Sequence, residues 1–177
     1  MIITVNLNDH NNLLALISEN REFGGSFNLI GNSLVIGKIG TENSYNRVEI
    51  PSGIVQFHTH PDCVGNRCSL SIPSAQDLIG FMKAFFRGDT LVHLLYTVDG
   101  IYIIMINKVF IRSNHSQKYI NQFCKTLRKL LDSKINNIYN GKERYNPYNW
   151  INCANKNGFD IRLVSKNMPP KMKIGIK

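Results

Sequence analysis

Apolar and polar positions follow two different periods along this chain, and each change of period marks a new element. In "NDHNNLLALISENREF" the apolar Leu13, Leu14, Leu16 and Ile17 follow the cap-forming Asp9, which predicts a helix over about residues 9–20. "GGSFNLIGNSLVIGKI" then places β-prone residues between glycines, which reads as a strand, a turn near Gly31-Asn32 and a second strand. Residues 41–52 are polar and form a loop. "SGIVQFHTH" is the next strand, apolar from Ile54 and ending in two histidines.

From Ser74 the period lengthens. Leu78, Ile79, Met82, Phe85 and Phe86 form one buried face of a helix. "TLVHLLYTVDGIYIIMIN" is a hairpin of two apolar runs around Asp99-Gly100. Runs this uniformly apolar belong to central strands covered on both sides. Ile120, Phe123, Leu127, Leu130, Leu131 and Ile138 then recur at helical spacing with Lys and Arg opposite, which predicts a long amphipathic helix. After Gly141 the chain is polar and rich in Tyr and Asn, with one candidate strand at "FDIRLVS". This order implies an α/β fold with a mixed β-sheet packed between helices, and a C-terminal amphipathic helix and tail. The natural division is a domain over 1–140 and a basic polar tail over 141–177 that can pack on it.

Charge sharpens that division. The net charge is +9, but residues 1–111 hold 7 Lys/Arg against 9 Asp/Glu, while residues 112–177 hold 14 against 3. A basic C-terminal third suits nucleic acid or an acidic partner, and equally a solvated helix face. Hydrophobic residues are 43% and charged residues 19%, the balance of an ordinary globular domain. No apolar run approaches the ~20 residues that span a bilayer, so no membrane partner is expected. "MIITVNLNDHNN" lacks the features of a secretory signal, so a cytoplasmic, intracellular location is expected.

The candidate chemistry lies in "FHTHPDCVGNRCSLSIPSAQDL". His58 and His60 sit at i and i+2 of a strand, so both imidazoles share a face and can converge on one ion. Pro61 cannot donate to a ladder and should end the strand there. A histidine pair alone also suits an ordinary polar strand end. Ser74 and Asp77, three apart before an apolar helical stripe, form a capping box. An aspartate in the first helical turn is also a good ligand, because the helix dipole stabilises its anion. Cap and ligand are compatible roles.

Strand HxHP, loop, then SxxD at a helix start resembles the motif of the JAMM (MPN+, or JAB) zinc metalloproteases. "HTHP" at 58–61 and "SAQD" at 74–77 match it, and Glu22 in "REFGGSF" stands where that family carries its upstream glutamate. The segment between Pro61 and Ser74 is longer than the compact form of the motif. The resemblance implies a JAB/MPN (cytidine-deaminase-like) core in residues 1–140. It implies Zn2+ held by His58, His60 and Asp77, with Glu22 as general base and Ser74 as oxyanion donor. The implied activity is that of a deubiquitinase-like isopeptidase, cutting ubiquitin or a ubiquitin-like protein from a lysine or a C-terminal extension. Glu19, Glu42 and Glu49 are the neighbouring carboxylates that could take the place of Glu22.

Other residues carry weaker signals. Cys63 and Cys68 could join Cys153 or His115 in a small structural metal site, or remain thiols. His93 in "LVHLL" reads as a core or sheet-face histidine, His10 as helix-start polarity and Cys124 as packing. Trp150 could anchor a partner or pin the tail. Two other functions compete: a non-enzymatic MPN-type scaffold or binding module, and a nucleic-acid-associated protein using the basic third.

Overall fold

A computed structural model of the chain describes residues 1–19, 21–40, 50–61, 71–113 and 115–174. Among the described residues, eight strands form one mixed sheet: β1 (Ile2–Val5), β2 (Gly24–Ile30), β3 (Ser33–Ile39), β4 (Val55–Thr59), β5 (Val92–Thr97), β6 (Gly100–Ile106), β7 (Phe159–Val164) and β8 (Lys171–Lys173). Their order across the sheet is β7-β6-β5-β4-β2-β3-β1-β8. The pairs β4/β5 and β1/β3 are parallel and the remainder antiparallel. The helices are α1 (Leu7–Leu16), α2 (Ala75–Arg87), α3 (Lys108–Arg112), α4 (Gln117–Tyr139) and α5 (Pro147–Asn155).

Side-chain alternation in the central strands builds two cores. Leu94 and Tyr96 of β5 and Ile101 and Ile103 of β6 enter one face with Leu13 of α1. Leu95, Tyr102, Ile104 and Ile106 enter the other, under α2, α4 and α5. The expected mixed sheet between helices is therefore present, and the hairpin strands are central as their composition required. The hairpin turn itself is Val98-Asp99. Gly100 begins β6 at φ +145, where a Cβ would stand 2.5 Å from the Val164 carbonyl oxygen. Only glycine fits there.

The first helix starts earlier than expected. Asn6, not Asp9, is the N-cap, its Oδ1 accepting from Asn8 N at 2.9 Å. Asp9 Oδ2 instead accepts from Ile36 N at 2.8 Å, tying α1 to β3. Two cap-forming side chains lie within three residues, and β1 immediately upstream decides between them. That four-residue strand gave no periodic signal of its own.

The segment after residue 140 is woven into the sheet. α5 opens with Asn146 as cap and Pro147 in its first turn, and it buries Trp150 completely. Trp150 thus pins this segment to the core. β7 and β8 form the two opposite edges of the sheet. On β7 the side-chain amide of Asn155 occupies the free edge, accepting from Ile161 N at 2.7 Å and donating to Ile161 O at 3.2 Å. An edge strand filled in this way cannot pair with another chain at that residue. Among the described residues, no helix is long and apolar enough to cross a membrane.

Candidate metal centre

The site forms where β4 ends and α2 begins, on the strand–helix–strand crossover that makes β4 and β5 parallel neighbours. Val55 and Phe57 point into the α1-side core, so Gln56 and His58 must point to the α2 side. His60 lies just past β4, yet its N–H still donates to Tyr96 O at 2.9 Å, which keeps it in the strand's path. Both imidazoles are buried, with His58 3% and His60 7% exposed.

Opposite them, the capping box forms in full. Ser74 Oγ accepts from Asp77 N at 3.1 Å, and Ser74 N donates to Asp77 Oδ2 at 2.7 Å. The box fixes the carboxylate against the histidines. Asp77 Oδ1 lies 3.5 Å from His58 Nε2 and Asp77 Oδ2 lies 3.4 Å from His60 Nε2. The two Nε2 atoms are 3.1 Å apart.

These separations fit a metal. A tetrahedral ion with bonds of ~2.0–2.1 Å spaces its ligands ~3.3 Å apart. The His58, His60 and Asp77 group could therefore hold a metal ion. Burial raises the cost of ionising Asp77, but the adjacent His58 and His60 outweigh it and hold the carboxyl well below the usual range. The helix N-terminus favours the same anion.

Glu22 lies beside His60. Its neighbour Phe23 exchanges backbone contacts with Thr59: Thr59 N donates to Phe23 O at 2.8 Å, and Phe23 N donates to Thr59 Oγ1 at 3.0 Å. Beyond it, Gly25 allows the Phe57 ring to cross close beneath β2, since a Cβ would sit 2.6 Å from that ring. Glu22 Oε1 is 3.9 Å from His60 Nε2, with the Glu22 side chain 42% exposed against 8% for His60. The donors are thus inside and this carboxylate faces solvent. A cleft of about 300 Å³ adjoins the centre, lined in part by Gln56, His58, Asp77, Gly80 and Phe81.

All five residues singled out from the sequence meet here. Glu42, Glu49, Cys63 and Cys68 lie outside the described residues. His115 is elsewhere, stacked on Tyr119 with ring centroids 4.3 Å apart. His10 is buried in the fold, its Nε2 3.0 Å from Lys166 O and its Nδ1 3.4 Å from the Tyr96 hydroxyl. Cys124 packs beside Met82 on α2, as its position on the apolar side of α4 implied.

The residue that sequence reasoning did not place in the site is His93. It is buried on β5, with its Nε2 2.5 Å from His58 Nδ1. Burial first, then the nearby His58, pushes its pKa well below the ordinary imidazole value. The available signal was a lone polar residue in a strand buried on both faces, which must find a partner.

Comparisons with family models, with curated proteins and with solved structures found no match. The site's chemistry therefore rests on its own geometry.

Proposed function

We propose that this chain is a zinc-dependent amide hydrolase of the JAMM kind on a JAB/MPN-like core. Its substrate bond is the isopeptide or peptide bond that follows the C-terminus of ubiquitin or a ubiquitin-like protein. The observation that carries this reading is the convergence of His58, His60 and Asp77 on one point, with the solvent-facing Glu22 carboxylate 3.9 Å from His60 Nε2. Among the described residues three donors converge, and three protein donors with one open position is the catalytic pattern of zinc, whereas structural sites are closed by four.

His58 Nε2, His60 Nε2 and an Asp77 oxygen would hold the ion. Bound there, Zn2+ would act as a Lewis acid and lower the pKa of water to roughly 7. Glu22 accepts the proton of the attacking water on its carboxylate and returns it to the leaving amine. Ser74 Oγ already accepts from Asp77 N, which leaves its hydroxyl hydrogen to stabilise the carbonyl oxygen as negative charge gathers there. Water is consumed and the C–N bond breaks, giving a carboxylate and a free amine. Because the two histidine donors are buried, the scissile bond must arrive on a thin extended tail, which suits a Gly-Gly terminus.

The test is incubation with di-ubiquitins of each linkage and with ubiquitin-like precursors, with and without a zinc chelator. Cleavage that the chelator stops is the expected outcome. A protein that binds zinc yet cuts none of them removes the substrate assignment. One that purifies without stoichiometric zinc is a binding module instead.

A further inference from the structure

The rings of His58 and His93 touch across the parallel pair β4/β5, with centroids 4.8 Å apart. Their facing nitrogens, His58 Nδ1 and His93 Nε2, are 2.5 Å apart and both side chains are buried. Two imidazole nitrogens at that distance share a single hydrogen: two lone pairs repel, and two N–H groups collide. The direction of the bond then follows from the metal reading, on which this inference rests. A neutral His58 that turns its Nε2 lone pair toward His60 and Asp77 must carry its hydrogen on Nδ1.

We propose that His93 is a positioning residue of the metal centre, accepting the Nδ1–H of His58 on its own Nε2 and so fixing the ring angle and tautomer of that ligand. Metal-bound histidines are ordinarily held this way by a carboxylate, a backbone carbonyl or water. A neutral imidazole in that role adds no negative charge. The centre keeps the electrophilic character that a second carboxylate behind His58 would reduce.

The support is rigid. His93 sits on central strand β5, in register with Gln56 of β4 and Ile104 of β6. Its ring also packs against Phe81, 6.0 Å between centroids. Phe81 belongs to α2, the helix that supplies Asp77. One helix therefore presses the support and presents the carboxylate together.

The experiment compares zinc affinity, by competition with a chromophoric chelator, in the wild-type protein, His93→Gln and His93→Leu. Gln can accept the same hydrogen bond through its amide oxygen, while Leu cannot. His93→Leu should bind zinc ~10–100-fold more weakly and His93→Gln should stay within a few-fold of wild type. Long-range proton–nitrogen spectra of the zinc-loaded wild type should show the His58 hydrogen on Nδ1 and the His93 hydrogen on its own Nδ1, leaving His93 Nε2 as the acceptor, a readout independent of turnover and of whether the Leu variant folds. Equal zinc affinity in a folded His93→Leu protein, or a His93 hydrogen on Nε2, overturns the role of His93 and leaves the metal reading intact. A His58 hydrogen on Nε2 in the zinc-loaded protein removes that nitrogen as a ligand and overturns both. A wild-type protein that takes up no zinc overturns both.

Discussion

α2 and α4 lie on the same face of the sheet and start with the same cap. Ser74 Oγ accepts from Asp77 N at 3.1 Å, and Ser116 Oγ accepts from Tyr119 N at 3.2 Å. A histidine also stands near each start. At α2 the third helical residue is Asp77, whose carboxylate closes the box and faces His58 and His60. At α4 it is Tyr119, 46% exposed, which stacks on His115. The two caps share their local chemistry, and only one helix start meets the end of a central strand. Capping positions a side chain, and what lies opposite decides whether that side chain does anything more.

The sharpest way to break this comparison is Asp77→Asn. The amide oxygen can still accept from Ser74 N, so the cap persists, but the anionic donor between the histidines is gone. Zinc affinity should fall by more than ~100-fold, beyond the usual cost of losing an outer partner, with little change in the melting temperature of the metal-free protein. If zinc binding survives by competition titration, Asp77 is a cap like the start of α4 and nothing else. Glu22→Gln probes the mouth of the site rather than its floor. Turnover should drop by ~10²–10⁴ while zinc stoichiometry, measured by elemental analysis, stays unchanged. Undiminished cleavage by that variant would move the base to another carboxylate.

Much of the site could be read from the sequence because each half advertises itself locally. The period of a strand puts His58 and His60 on one face, and a Ser-x-x-Asp before an apolar stripe marks a cap. That these halves face each other depends on the β4–α2–β5 crossover, which the resemblance to a known motif implied and local patterning could not. His93 is the core histidine its surroundings implied, but its place beside His58 was not legible for the same reason. Its meaning depends on which strand lies beside β4, and no pattern within "LVHLL" carries that. At the fold level, the hairpin and α4 announce themselves over many residues. β1 and β8 have four and three residues, too few to show a period; β8 is defined by pairing with β1, and β1 by pairing with β3 and β8. α5 did carry a local signal in Asn146-Pro147, but its Tyr- and Asn-rich surroundings hid it. The extent of the tail's integration follows from Trp150, whose burial only the assembled core reveals.

The smallest effects separate the two caps most finely. Ser74→Ala and Ser116→Ala delete the same hydrogen bond, and each should cost ~0.5–2 kcal/mol of stability. The bond at Ser116 is exposed, so water can replace it and its cost belongs at the low end. The bond at Ser74 is partly buried and belongs higher, since Asp77 N then lacks an acceptor where water is scarce. In thermal melts of a chain this size, that is a drop of about 2–4 °C per kcal/mol. Their catalytic consequences should diverge far more. On the proposed mechanism Ser74→Ala also removes the hydroxyl that would meet the developing oxyanion and should lower kcat by ~10²–10³, whereas Ser116→Ala should leave kcat alone. If both variants melt a little lower and cleave as well as wild type, Ser74 is a cap only, and the difference between the two helices reduces to Asp77 and the histidines across from it.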